Sequence, residues 1–232
     1  MGKRIIQQAR GHGSLVYRVK RKAFSVKPSY PKDLNGEWEI IDFLRSAGHS
    51  APLVKLKNKT GKTFINIANK GLAVGDKISF GGEKEGSINF LVNINPGTKI
   101  FNIEKNPFDG GKFVRTGGNS ALILSKENFG VKVLMPSKEI KIFKENCRAT
   151  IGEIAGQGRL DKPILKAGKK YFIKKAKSKK WPRTSAVKMN AVDHPFGSGR
   201  GKRIKSKIVK RFASSGQKVG LLYPKRTGRK KA

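Results

Sequence analysis

Residues 162–232 carry 24 Lys or Arg and a single acid, Asp193. Few features restrict a fold as strongly. Such a segment has too little apolar surface to repay the ordering of its chain, so it cannot build a core of its own. The opposite end repeats the pattern, with nine Lys or Arg and no acid in residues 1–32. Between them, residues 33–161 hold 19 basic and 14 acidic residues, a net charge of +5. The chain is therefore a nearly neutral centre with two cationic arms, and its total formal charge is +37. A compact body with that charge repels itself, so an anion has to offset it. Nucleic acid is the commonest such anion. A membrane surface fits less well, because no long amphipathic helix with an apolar face is visible and no apolar run approaches ~18 residues.

Other bounds are brief. Hydrophobic residues make up 37% of the chain, so a core is expected, though not one that includes every segment. The single cysteine, Cys147, offers neither an internal disulfide nor a zinc-ligand pair, which suits a reducing compartment. "MGKRIIQQARGHG" is basic but lacks an apolar stretch, so it does not resemble a secretory signal. The arm texts "YFIKKAKSKKWPRTSAVK" and "GSGRGKRIKSKIVKRFASSGQKVG" mix cations with Gly, Ser and a few aromatics. They predict extended segments that become ordered on a partner. There Trp181 and Phe212 either stack on bases or anchor the arm to the body.

The centre predicts short strands. "PLVKLKN" alternates Val54 and Leu56 against Lys55 and Lys57. "TFINIAN" sets Ile65 and Ile67 on one face, "DKISF" does the same with Ile78 and Phe80, and "INFLVNI" alternates through Ile88, Phe90, Val92 and Ile94. Period-two patterning of this kind marks half-buried strands. "NKTGK", "FGGEKEG", "NFGVK" and "NPGT" supply the turns between them. "SALILSKENFGVKVLMPSKEIKIF" predicts a three-strand meander at 120–126, 131–135 and 140–143. The expected class is all-β: a basic N-terminal arm over 1–33, an OB-like barrel over 34–87, an SH3-like barrel over 88–170 and a basic C-terminal extension over 171–232.

No catalytic constellation emerges. P-loop, G-x-S-x-G and H-E-x-x-H patterns are absent, and "GGEKEG" and "FDGGKFVRTGG" join strands rather than open a helix. His12 and His49 have no neighbouring Cys or His to complete a metal site. The stretch "MNAVDHPFGSGRGKR" places Asp193 beside His194. Adjacent residues of an extended chain point apart, so Asp193 is poorly placed to orient the ring as a triad carboxylate does. A local Asx-type turn at Asp193 is the expectation, with Pro195 fixing the chain and Gly197, Gly199 and Gly201 allowing close approach to a surface. An RNA-contacting or turn-shaping role therefore outweighs catalysis, and no cofactor or metal is expected.

These motifs together resemble one family. "MGKRIIQQARGHGS", "GHSAPL", "NPGTKIFNIE", "GGKFVRTGGNSALIL", "ENCRATIGEI", "WPRTSAVKMNAVDHPFGSG" and "GQKVGLLYPKRTGRKK" occur in the order found in the L-two family of large-subunit ribosomal proteins, in its archaeal form. The resemblance spans nearly the full chain. It implies OB-like and SH3-like barrels with basic extensions on large-subunit ribosomal RNA, and a place near the peptidyl transferase centre. It also implies help in assembling that region and in subunit association. On the family's loop it places Met189, Asn190, Asp193, His194, Pro195 and Gly197. Phe196 stands where bacterial relatives have a second His, and Ser198 interrupts their glycine run.

The remaining expected RNA contacts rest on charge and aromaticity. They are Arg4, Arg10, His12, Arg18, Arg21 and Lys22 in the first arm; His49 and Ser50 in the first barrel; and Arg115 and Arg148 in the second. In the C-terminal extension they are Trp181, Arg183, Thr184, Lys188, Arg200, Lys202, Arg203, Lys205, Lys207, Arg211 and Lys218. The implied partners are large-subunit ribosomal RNA, neighbouring ribosomal proteins and the subunit interface, with no membrane and no second copy of the chain. The implied location is the cytoplasm. Two other classes compete: a free-standing nucleic-acid chaperone or chromatin-like protein, and a His194-dependent enzyme.

Overall fold

The computed structural model describes residues 3–6 and 12–197. Of the expected contacts, Arg10, Arg200, Lys202, Arg203, Lys205, Lys207, Arg211 and Lys218 lie outside the described residues, as does Phe212. The chain divides into a body, residues 20–166, and a second unit that combines the two ends of the chain, before 20 and after 166.

The body is all-β. Strands β1 (Glu37–Leu44), β2 (Leu53–Asn58), β3 (Thr63–Ile67) and β4 (Lys77–Ser79) form an antiparallel sheet in the order β3-β2-β1-β4. Strands β5 (Ile88–Phe90), β6 (Lys99–Phe101), β7 (Ala121–Glu127), β8 (Gly130–Leu134), β9 (Ile140–Phe143) and β10 (Arg148–Ile151) form a second antiparallel sheet. Its order is β5-β10-β6-β7-β8-β9. The alternation read from β2 is the observed one: Val54 and Leu56 are buried, Lys55 and Lys57 exposed. The meander at β7, β8 and β9 falls close to its expected bounds, but in β9 the apolar alternation faces the other way: Ile140 and Ile142 are exposed and only Phe143 is buried.

Each sheet covers its own apolar cluster. Trp38, Ile40, Val54, Leu56, Phe64 and Ile78 gather under the first, with Tyr30 and Leu34 from the preceding segment. Leu91, Ile100, Ile103, Ile123, Val131 and Val133 gather under the second. A third cluster joins Ala51, Leu53 and Ile67 to Phe101 and Ile154, so the sheets share a core. Each such aliphatic or aromatic side chain contributes about 1.5–3 kcal/mol on leaving water.

Polar groups stitch the same seam. Tyr30 Oη meets Thr150 Oγ1 at 2.5 Å, Asn66 Nδ2 donates to Thr150 Oγ1 at 3.2 Å, and Asn102 Nδ2 donates to Asn66 Oδ1 at 3.0 Å. Burial pushes the Tyr30 phenol far above its ordinary pKa, so it remains a neutral O–H. Beside it, Arg148 and Glu104 form an ion pair at 2.8 Å, with side chains 1% and 0% exposed.

Three expectations change. The first arm is shorter than residues 1–33, because Tyr30 and Leu34 are core residues and Arg148 Nη1 donates to Pro31 O at 2.7 Å. A segment with cations on its surface can still supply the few apolar side chains that a neighbouring sheet lacks. "INFLVNI" stops being a strand at Phe90. A 3₁₀ turn over Leu91–Asn93 buries Leu91 and Ile94, three residues apart, and leaves Val92 exposed. Finally, "AGKKYFIKKA" is not extended but forms helix α1 (Ala167–Ala176), which crosses the expected boundary at 170/171. Ala and Lys favour helix, and that preference prevails locally over charge density. The helix buries no side chain, and Lys175 Nζ lies over the Tyr171 ring one turn back at 5.8 Å.

Candidate nucleic-acid interface

In the unit built from the chain ends, most of the expected contacts among the described residues are on the surface. Arg4, His12, Arg18, Arg183, Thr184, Lys188 and Asn190 are exposed, whereas Trp181, Met189, Asp193, His194 and Pro195 are half-buried. Arg4 Nη1 donates to His12 Nε2 at 2.8 Å. A 3₁₀ turn over Ala186–Lys188 leads into the loop 190–197.

That loop is tied by its own backbone. The N–H groups of Asp193 and His194 both donate to Asn190 O, at 3.0 and 3.2 Å, and Gly197 N–H donates to His194 O at 2.8 Å. Gly197 is required by space. A Cβ there would lie 2.3 Å from Asn190 O and 2.5 Å from Met189 O, closer than any real contact. Asp193 does not supply the expected turn bond. It pairs instead with Lys3 Nζ at 3.2 Å, while Lys3 N–H donates to Val192 O at 2.7 Å. The ion pair with a nearby ammonium competes successfully with a weaker local bond.

The side-chain bond of the loop belongs to His194, whose Nδ1 accepts Phe196 N–H at 3.0 Å. An imidazole nitrogen that accepts carries no proton, so the ring's hydrogen sits on Nε2. Burial lowers the His194 pKa and reinforces the neutral form. The ring also packs against Phe196, with centroids 4.9 Å apart. His194 thus shapes the loop and presents an N–H donor. Among the described residues no carboxylate orients it toward a nucleophile, and the adjacent Asp193 is held by Lys3.

The body contributes a second group. The 3₁₀ turn Arg21–Phe24 carries exposed Arg21 and Lys22. It is fastened to the loop after β1: Gly48 N–H and Ser46 Oγ both donate to Ala23 O, at 2.8 Å each. His49 Nδ1 lies 2.7 Å from Ser46 Oγ. The serine has one hydrogen and has given it to Ala23, so the imidazole must donate: His49 carries its hydrogen on Nδ1. Its Nε2 is then a bare acceptor, the opposite polarity to His194. Burial, helped by the charge of Arg115, lowers the His49 pKa. Ser50 Oγ accepts Gly117 N–H at 3.1 Å, so its hydroxyl is engaged within the body.

Two arginines prove to be structural in large part. Arg148 is a correction: it is 1% exposed and cannot reach a phosphate. Its Nε and Nη2 donate to Glu104 Oε1 at 3.2 and 2.8 Å. Arg115 is half-buried and donates to Gly111 O and Pro28 O, at 3.1 and 2.9 Å. A single sequence cannot tell such internal cations from surface ones, although β10 "RATI" has all four residues buried and shows no alternation. Sequence reasoning also passed over Tyr17, Lys174, Lys179 and Lys180, which line a cavity with Trp181 and Arg183. In a uniformly basic text nothing distinguished those lysines from their neighbours.

Among the described residues, no group of three His, Cys, Asp or Glu could hold a metal ion, and no helix is long and apolar enough to cross a membrane. A β body with exposed cations and ends richer still in Lys and Arg define a class: a basic protein whose charge calls for a polyanionic partner. The particular family follows from comparison. Residues 84–214 match the family model described as Ribosomal Proteins L2, C-terminal domain. The chain is 43% identical over 234 residues to the large ribosomal subunit protein uL2 of Archaeoglobus fulgidus, covering 98% of this chain and 99% of that one. It is 42% identical to the uL2 protein of Methanocaldococcus jannaschii, over the full length of both, and 41% identical to that of Methanococcoides burtonii, over 99% and 100%. The chain belongs to the L2 family of ribosomal proteins.

Proposed function

We propose that this chain is an RNA-binding building block of the large ribosomal subunit in the cytoplasm. In this reading the β body docks on folded ribosomal RNA and the cationic ends pass between RNA helices. There they neutralise phosphates that would otherwise repel one another. The observation that carries the reading is the charge division: a centre at +5 flanked by segments with 33 cations against one acid. That acid, Asp193, is itself paired with Lys3. Recognition is by shape and backbone, since the deep groove of A-form RNA is too narrow for side chains.

The loop 190–197 then lies against RNA near the peptidyl transferase centre. It supports assembly of that region and association of the subunits, together with neighbouring ribosomal proteins. His194 contributes geometry and one N–H donor, and RNA performs the chemistry. The exposed cations Arg4, Arg18, Arg21, Lys22, Arg183 and Lys188 meet phosphates. Trp181, Thr184 and His49 contact nucleotides more locally, while Arg148 supports the fold of the body.

Sedimentation of a cell extract through a sucrose gradient tests the reading. The bulk of the chain should travel with the large subunit and follow it into intact ribosomes. A bulk that stays at the top of the gradient, or binds any duplex equally well, would instead favour a free-standing nucleic-acid chaperone.

A further inference from the structure

The unit formed by the chain ends holds a cavity of about 320 Å³, lined by Ile6, Tyr17, Lys174, Ser178, Lys179, Lys180, Trp181 and Arg183. We propose that it is a pocket for one unpaired nucleotide turned out of the RNA. The proposal deepens the RNA-binding reading above and rests on it.

Its walls are built rather than incidental. Helix α1 ends in paired backbone bonds: Lys179 N–H donates to Lys174 O at 2.9 Å and Ser178 N–H to Lys175 O at 3.1 Å. This is the six-to-one and five-to-two pattern of a Schellman ending, with Ser178 in the left-handed region at φ 53°. The reversal turns Ser178, Lys179, Lys180 and Trp181 back beside Lys174. Ser178 Oγ then donates to Arg18 O at 2.8 Å, which ties the N-terminal segment bearing Tyr17 to the helix end. Lys170 Nζ lies 5.3 Å from the centre of the Trp181 ring and helps to fix the indole.

The lining selects a ligand class. Among the described residues, four cations and no carboxylate line the space, so a phosphate-bearing ligand is favoured. Two aromatic rings, Tyr17 and Trp181, select a flat π-system. A phosphate attached to a planar base is a nucleotide. A base inside a helix is stacked on both faces and cannot enter, so the pocket takes bulged or looped-out nucleotides. This goes beyond charge neutralisation: it gives the C-terminal segment a means of recognising one irregular point in an RNA.

The test uses the full chain and two RNA hairpins, identical except that one has a single bulged nucleotide. Affinities are measured by filter binding at physiological ionic strength. The bulged hairpin should bind about tenfold more tightly, the scale of one base stacked on an aromatic ring. Trp181→Leu should abolish that preference, bringing the two hairpins to equal affinity, and Trp181→Phe should keep most of it. Tryptophan fluorescence gives a second readout, because Trp38 is 3% exposed with its N–H on Asn35 O, leaving Trp181 as the quenchable indole. Only the bulged RNA should quench it. Equal binding of both hairpins, or a Trp181→Leu variant that keeps the preference, would overturn the pocket and leave the RNA-binding reading standing. Binding of neither hairpin would bring down both. Adenosine monophosphate that competes as strongly as the bulged hairpin would make a free nucleotide the ligand and refute the RNA-borne one.

Discussion

Converting Glu104 to glutamine exchanges one buried carboxylate oxygen for an amide NH₂. Five N–H groups converge on this side chain. Gly110 N–H, Arg148 Nε and Arg148 Nη2 donate to Oε1 at 3.0, 3.2 and 2.8 Å, and Phe108 N–H and Arg148 N–H donate to Oε2 at 3.2 and 2.9 Å. Glutamine has one acceptor oxygen. Whichever way it turns, its NH₂ confronts two or three donors, and the guanidinium of Arg148 loses its counter-charge in a site with no water access. Each stranded donor costs about 1–3 kcal/mol, and breaking a buried pair costs about 3–5 kcal/mol. These overlap, so a net loss of about 3–5 kcal/mol is expected for Glu104→Gln. For a body of this size that lowers Tm by about 10 °C. Circular-dichroism melts and urea titration of the full chain read it directly. The half-exposed pair Lys132–Glu127 is the control, and Glu127→Gln should change stability by no more than about 0.5 kcal/mol. Replacing both partners, Glu104→Leu with Arg148→Met, should stay costly, because the Phe108, Gly110 and Arg148 amides and Pro31 O all lose partners. A Glu104→Gln protein within about 1 kcal/mol of the wild type would refute the reasoning.

Four further outcomes are expected. ¹⁵N spectra should place the hydrogen of His49 on Nδ1 and that of His194 on Nε2. Because both pKa values are lowered on folding, these rings stabilise the fold fully above pH ~6.5 and progressively less as pH falls through their folded pKa values, which urea titrations across that window can follow. Gly197→Ala should break the Asn190 turn, seen as faster exchange of the Phe196 amide and a mixed His194 tautomer, with the melting of the body unchanged. The Cys147 thiol, fully buried and pushed up to about 11, should resist a disulfide reagent in the native chain and react at once in urea.

The sequence carried the β class of the body because β2, β7 and β8 each have one face in the core and one toward water. Alternation records such a division. It is silent for β10, all four of whose residues are buried. The helix at Ala167–Ala176 was hidden for a different reason: its stability is local, and a text dominated by lysine masked it. Among site residues, the loop 190–197 was found by motif, yet the roles within it were exchanged. Asp193 went to Lys3, a residue far away in sequence, and His194 took the turn bond. Arg148 looked like its surface counterparts, since a charge count cannot see that Glu104 lies beside it in space.

The tie between Arg148 and Pro31 spans 117 residues of chain. It has a consequence for the order of events during synthesis. Pro31 emerges early, and its neighbours Ala23 and Tyr30 can already meet the loop after β1 and the first sheet, but the bond from Arg148 forms only once β10 exists. Contacts this distant in sequence slow folding, because loop closure must precede any gain from the contact. Folding of the body closes only after residue 148 has been made, and the C-terminal segment then follows from an already finished scaffold. The protein is thus assembled with its anchor last to lock and its tail last to arrive.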